Sequence, residues 1–248
     1  MTKLYTTYAE LYHKMYQSFI DYDEEYEFYR GLLHKCGKQD ILEVGCGTGQ
    51  LARRFITDGY RYMGIDVSDP MLEIAKKEMP SHHFCLMDMR AIDIAATFEA
   101  VVITARSISY ILTNADVMAT FKSVKNVLKD GGVVIFDFID ANRFIPAVKE
   151  NEVISHDVVI DNIAYKRESI FQKRIDTSWN WLWKSTFMKE ENGKYEEIGS
   201  DEAELRTFTT DELRIFLTLA GFEIIQVLDR KVYAFDTKVI VARKRNDE

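Results

Sequence analysis

The sequence has few of the features that would place it outside an ordinary reducing interior. Among 248 residues there are three cysteines, Cys36, Cys46 and Cys85, with no C-x-x-C spacing. That pattern excludes a disulfide framework and a structural zinc site, and it fits a reducing cytoplasm. The N-terminal stretch holds acids and tyrosines where a secretion signal needs an apolar run. No apolar stretch approaches the length of a membrane span. Internal repeats and low-complexity segments are absent. A basic surplus is absent too: the formal net charge is −8, which weighs against a broad phosphate-binding surface and so against nucleic acid as a partner. What is present is 47% hydrophobic and 29% charged residues, enough for a sizeable core under a polar surface. The length fits one domain with an insertion.

Two nucleotide-binding signatures are also missing. There is no G-x-G-x-x-G for a pyrophosphate and no Gly-Lys-Ser/Thr for a triphosphate. In their place stands Asp40-Ile41-Leu42-Glu43-Val44-Gly45-Cys46-Gly47-Thr48-Gly49. Its apolar residues read as a short buried strand. Its three alternating glycines form a tight turn, and Gln50–Ile56 follows with helical spacing. Glu43 precedes the glycines, and a second acid, Asp66, closes the next strand, 61–66. A carboxylate there can accept from both ribose hydroxyls of an adenosine. An acidic nucleoside site without a phosphate cradle suits a cationic ligand.

The chain then alternates. Strands are expected near 40–44, 61–66, 83–87, 100–104 and 132–138, and helices near 50–57, 70–79 and 114–128. Asp69 is the expected cap of the second of these helices, with Pro70 in its first turn. Thr113 and Thr209 open capping-box patterns. Such βαβα order implies a parallel sheet covered on both faces, with its ligand at the carboxyl ends of the strands. Glu43, Asp66, Asp88, Ala105 and Asp137 all fall at or near such ends. Residues 150–205 break the rhythm with β-like segments, Val153–Ile160, Tyr165–Ile175 and Thr177–Met188. A hairpin turn is expected at Glu191-Asn192-Gly193-Lys194. Trp179, Trp181, Trp183 and Phe187 share one face of this insertion. Three readings of that face stand: packing on the domain, a lid over a substrate, or an interface that would make the chain a homodimer. A helix from Thr209 to Gly221 and two strands near 223–228 and 237–243 finish the chain, with 229–236 as the loop between them. Two helices, within residues 4–35, form an N-terminal cover over 1–38.

The glycine segment 43–49, Gly64-Ile65-Asp66-Val67-Ser68, Met71–Ala75 and Asp88-Met89-Arg90, in this order, resemble the class I S-adenosylmethionine-dependent methyltransferases. The resemblance runs over roughly residues 5–245 and is specific only in the cofactor motifs. It implies a Rossmann-like doubly wound seven-stranded α/β sheet, with the antiparallel insertion after the fifth strand. It implies S-adenosyl-L-methionine as cofactor and S-adenosyl-L-homocysteine as product, held by Glu43, Gly45, Cys46, Gly47, Gly49, Asp66, Val67, Met71, Asp88, Met89 and Ala105. Asp88 would accept from the adenine amino group, and Met89 would recognise the ring through its backbone. Met71 would pack near the ribose or adenine, or else in the core. Tyr8-Ala9-Glu10-Leu11-Tyr12 matches a segment that covers the cofactor in these enzymes, which implicates Tyr12 and, beyond it, Tyr22. Thr104–Thr113 resembles the x-x-S-x-x-Y-L-x-T segment of small-molecule methyltransferases, including sugar-amine N-methyltransferases. On that likeness Ser107, Tyr110 and Arg106 would orient a small-molecule acceptor. Arg106 would pair with an acceptor carboxylate or make an internal salt bridge.

Methyl transfer from a sulfonium needs positioning and desolvation more than a triad or a metal. The expected reaction is therefore methylation of a small molecule at nitrogen or oxygen. One alternative is a methyltransferase acting on protein or tRNA. Another is a non-catalytic cofactor-binding or partner-activating subunit, against which the intact acids Glu43, Asp66 and Asp88 weigh. His13 and His156 are the histidines best placed to act as a base, though packing or surface roles are commoner for lone histidines. Arg167, Lys173 and Arg174 read as solvated edge charges of the insertion.

Overall fold

A computed structural model describes residues 2–174, 179–231 and 236–246. Two helices come first, α1 (Ala9–Phe19) and α2 (Tyr22–Lys35). The Asp21 side chain caps α2 by accepting from the amides of Asp23 and Glu24, both at 3.0 Å. The alternating region follows: β1 (Asp40–Val44), α3 (Gln50–Thr57), β2 (Arg61–Asp66), α4 (Asp69–Glu78), β3 (His83–Leu86), β4 (Phe98–Ile103), α5 (Asn114–Asn126) and β5 (Leu128–Ile139). Every β1 residue is buried, as a strand covered on both faces requires.

Helix starts follow local chemistry. Thr113 caps α5 by accepting from the Asp116 amide at 3.1 Å. At α4 the cap lies one residue earlier than expected. Ser68, not Asp69, accepts from the Met71 amide, at 3.4 Å, and Asp69 becomes the first helical residue. Strand β5 begins at Leu128, four residues before the expected start. There Leu128 pairs with Phe98, and a register shift absorbs the glycines before Val133 pairs with Ala100.

After β5 come α6 (Ala141–Ala147), β6 (Ile154–Ile160), β7 (Ile163–Arg174), β8 (Asn180–Glu191), β9 (Lys194–Arg206), α7 (Thr210–Leu219), β10 (Phe222–Lys231) and β11 (Asp236–Lys244). The main sheet has the order β10-β11-β5-β4-β1-β2-β3. All neighbours in it are parallel except those of β11, which runs antiparallel to both β10 and β5. Strands β6 to β9 form a separate four-stranded antiparallel sheet. Asn192 (φ 53°) and Gly193 (φ 77°) make the expected two-residue turn between β8 and β9. Ile175 and Thr177, expected at neighbouring strand ends, lie outside the described residues, as do 232–235 of the 229–236 loop. Strands β10 and β11 extend across the rest of that expected loop.

The tryptophan face packs. Trp181 is fully buried in a cluster with Ile139, Phe144, Phe171, Ala203 and Leu205, which ties the insertion to the end of β5 and to α6. Phe187 is buried with Leu4, Met15 and Tyr16 under the N-terminal cover. Trp179 is largely exposed. Arg167 is not the solvated charge expected of an edge. It is 4% exposed, stacked 4.2 Å from the Trp183 ring centroid. It donates to the Tyr16 hydroxyl at 2.5 Å and to Ser185 Oγ at 3.2 Å. β7 is an interior strand of its sheet, and α1 lies over the face to which Arg167 points.

Candidate active site

The carboxyl ends of β1, β2 and β4 open into a cavity of about 520 Å³. Its floor is the glycine turn. Gly45 takes φ +75°, and a Cβ built there would stand 2.5 Å from Ser107 Oγ, so only glycine fits against the segment after β4. The Gly47 amide donates to Asp66 Oδ2 at 2.8 Å, and the Ser68 amide donates to Asp66 Oδ1 at 2.8 Å. One carboxylate thus sets both the glycine turn and the start of α4. The Val67 amide also helps hold the carboxylate, so of its roughly four acceptor positions about one remains for a ligand. Burial raises the Asp66 carboxyl against the amides that hold it ionised.

One wall carries Val67, Met71, Met87 and Met89, with Asp88 and Arg90 beside them. Arg90 grips the Asp88 carboxylate at 2.6 to 3.1 Å and lies 3.4 Å from Asp116. The guanidinium holds Asp88 below the usual carboxylate range, so it stays an acceptor at neutral pH.

The opposite wall carries Ala105, Ser107 and Tyr110, continued by Ile111 and Leu112. Ala105 and Arg106 both take positive φ, 55° and 61°, as the chain leaves β4. The Arg106 amide donates to buried Asp137 Oδ1 at 2.8 Å, which offsets part of that strain. The Ser107 hydroxyl donates to the Thr104 carbonyl at 2.8 Å and so closes the turn.

The roof comes from the N-terminus and the insertion. The hydroxyls of Tyr5 and Tyr110 are 2.7 Å apart, and Tyr12 lies edge-on to Tyr5 with centroids 5.3 Å apart. Burial drives Tyr5 well above 10 and pushes Tyr110 up to about 12, so both phenols keep their protons at neutral pH. Ser68 Oγ donates to the Tyr5 carbonyl, and the Lys3 amide donates to Asp201 Oδ1 at 2.7 Å. Glu202, Ala203 and Glu204, on edge strand β9, complete the lining.

Of the expected residues, the cavity gathers Tyr12, Gly45, Gly47, Asp66, Val67, Met71, Asp88, Met89, Ala105, Ser107 and Tyr110. Five others lie behind it or beside it. Glu43 is 2% exposed under the turn, where it accepts from the Tyr62 hydroxyl at 2.5 Å and from Thr104 Oγ1 at 3.3 Å. Burial raises its carboxyl to about 7 against those two bonds. Cys46 is buried in the core behind the turn. Gly49 caps α3 in the left-handed conformation. Tyr22 opens α2 and packs against the core beside Arg54, whose guanidinium is 5.8 Å from its ring. The Arg106 charge opposes the rise of Asp137, Glu25 and Tyr29 beneath the turn, and it also acts on Tyr110 of the cavity wall.

The histidines stay outside the cavity. His13 meets Gln17 at 2.9 Å and Glu78 at 3.3 Å. His156 lies beside Phe19, and its ring is lowered by burial and by Arg167. Sequence reasoning passed over Tyr5, Arg90 and the pair Glu202 and Glu204. Asp88-x-Arg90 was a readable signal. The two glutamates carried none, because they sit in an acidic strand that reads as solvated.

Whether this cavity suits S-adenosylmethionine is tested by its own residues. The bare backbone at Gly45 and Gly47 admits a close ligand. Asp66 lines the cavity with acceptor capacity left for a ribose hydroxyl. The methionine-lined slot ends on an ionised Asp88, and the lining is acidic, as a sulfonium requires. The volume falls within the range of about 300–1,000 Å³ common for small-ligand sites. The residues fit.

Comparison with known proteins agrees. Residues 41–132 match the family model described as a methyltransferase domain. A conjectured methyltransferase of Bacillus subtilis (strain 168) is 29% identical over 90% of this chain and 88% of its own. A dTDP-3-amino-3,4,6-trideoxy-alpha-D-glucopyranose N,N-dimethyltransferase of Streptomyces venezuelae is 32% identical over 39% of this chain and 41% of its own. Among solved structures, CalS10 with bound S-adenosylmethionine, an amino pentose methyltransferase from Micromonospora echinaspora, superposes with a TM-score of 0.80. It is 20% identical, and the match covers 94% of this chain and 96% of that one. The chain has the fold of the class I S-adenosylmethionine-dependent methyltransferases, and within it residues 41–132 match the methyltransferase-domain model.

Proposed function

We propose that the protein transfers a methyl group from S-adenosylmethionine to nitrogen or oxygen of a small molecule held under the insertion. The observation that carries this reading is one cavity with two unlike halves. Asp66, Met71, Asp88 and Met89 would hold the nucleoside, and Gly45 and Gly47 would face the rest of the cofactor. Tyr5, Ser107, Tyr110 and Glu204 come from other elements and remain for an acceptor. The names of the Streptomyces relative and of CalS10, both enzymes of amino sugars, support a small acceptor.

When bound, the cofactor supplies an electrophilic methyl on a sulfonium, which the lone pair of an acceptor displaces in line. The chain's part is to hold, orient and keep out water. The Tyr5 and Tyr110 phenols can donate to the acceptor or accept from it without ionising. Neither histidine best placed to be a base lines the cavity, so an acceptor nitrogen would arrive unprotonated or lose its proton to Glu202, Glu204 or solvent. The test is methyl transfer from labelled S-adenosylmethionine to pools of small amines and alcohols, to folded protein extract and to tRNA. Label confined to small molecules is the expected result. Label on protein or tRNA at comparable rates would overturn the small-molecule assignment.

A further inference from the structure

We propose that Glu202 and Glu204 act as a charge filter, so that this cavity takes an acceptor without a phosphate or carboxylate group and rejects a nucleotide-linked one. The inference rests on the methyl-transfer reading above. It also separates this chain from its Streptomyces relative, whose name specifies a dTDP-linked substrate.

The charges around the cavity are one-sided. Four carboxylates line it, Asp66 and Asp88 on the nucleoside side and Glu202 and Glu204 on the insertion side. The one cation among the described lining residues is Arg90, already bound to Asp88 and close to Asp116. Arg106 does not line the cavity; its charge acts on Asp137 beneath the turn and more weakly on Tyr110 of the wall, away from the two glutamates. Arg167 is buried against Trp183, Tyr16 and Ser185. Lys184 lies 3.7 Å from Glu202, both partly exposed, and offsets part of that one glutamate. Glu204 Oε1 accepts from the side-chain Nδ2 of Asn180 at 3.2 Å, a neutral group that holds the carboxylate in place and leaves its charge. Residues 175–178 and 232–235 contain no lysine or arginine.

Binding a diphosphate demands cations or unused backbone amides to replace its water. A second or third negative charge brought beside Glu202 and Glu204 meets carboxylates instead. A neutral or protonated amine meets two acceptors and two phenols. The glutamates stand on an edge strand built into the insertion, so the filter belongs to the acceptor side and leaves the cofactor half untouched.

The experiment is calorimetry at low ionic strength, where partly exposed charges are least screened. dTDP is titrated into the protein saturated with S-adenosylhomocysteine. Wild type, Glu202→Gln/Glu204→Gln and Glu202→Lys/Glu204→Lys are compared, each first titrated with S-adenosylhomocysteine. Expected are dTDP binding weaker than millimolar in wild type, a gain of at least tenfold in the lysine variant and an intermediate gain in the glutamine variant. Cofactor affinity should stay within a few-fold throughout. In the labelled-acceptor assay, label should enter free amino sugars and not their phosphorylated forms. Micromolar dTDP binding to wild type, or equally weak binding in all three proteins, overturns the filter while leaving the methyltransferase reading standing. Failure of S-adenosylhomocysteine to bind wild type would instead sink the underlying reading.

Discussion

Asp66 concentrates several roles in one side chain. It fixes the Gly47 amide and the Ser68 amide while facing the cavity. Asp66→Ala removes charge-assisted bonds of about 1.5–3 kcal/mol in sum, so S-adenosylhomocysteine affinity should fall about ten- to a hundredfold by calorimetry. Undiminished affinity would remove Asp66 from the site. Glu43 makes a different prediction. Its folded value is about 7 against 4.5 for a free glutamate, so the folded protein holds the proton over a wider range than the unfolded chain. Its contribution is complete below about pH 4.5 and is lost as pH rises through 7. The sum is about 3 kcal/mol at roughly 1.4 kcal/mol per unit. Wild type should therefore lose stability relative to Glu43→Gln between pH 5 and 8 in thermal unfolding. Parallel curves for the two proteins would show that Glu43 titrates normally.

At the scale of elements, the insertion and the N-terminal cover hold each other. Trp181→Ala should cost about 3–5 kcal/mol in stability, as removal of a fully buried large aromatic does. It should leave cofactor affinity of the folded fraction intact, because Trp181 packs on Phe144 and Phe171 and meets the cavity only behind Ala203 and Tyr110, away from the nucleoside side. Hydrogen exchange across residues 4–24 should slow when cofactor binds, because Tyr5 and Tyr12 roof the cavity. Equal protection with and without ligand would end the idea of a cover.

Elements of this kind were largely legible in the sequence. The glycine turn, the caps at Thr113 and Thr209 and the Asn192-Gly193 hairpin depend on residues next to each other in the chain. What the sequence hid depends on distant partners. Arg167 looks like any strand-edge charge until Tyr16, 151 residues earlier, closes over it. Tyr5 and Tyr110 are 105 residues apart and meet only when the cover is down. Tyr22 and Arg106 sit where the motif pattern points, but α2 and Asp137 turn them away from the cavity.

For the whole molecule, the net charge of −8 and the acidic cavity act in one direction. Association with a cationic ligand should be steered and should slow as salt rises, whereas tRNA should show no binding in a filter assay at 150 mM salt. Saturable tRNA binding at that salt would reveal a local basic surface and overturn this expectation.

The Tyr5 segment is pinned at three points: the Ser68 hydroxyl, the Tyr110 hydroxyl and Asp201 through the Lys3 amide. Each bond contributes about 1 kcal/mol net and the buried Leu4 about 2 kcal/mol more, so lifting the segment costs about 5 kcal/mol and the open form amounts to roughly 1 molecule in 5,000. Traffic through that rare form limits any ligand that enters or leaves beneath this segment. Cofactor capture that requires this opening should then run more than about a thousandfold below an ungated encounter. Tyr5→Phe, which removes one of the three pins, should raise both the entry and the exit rate several-fold in stopped flow while moving the equilibrium constant far less.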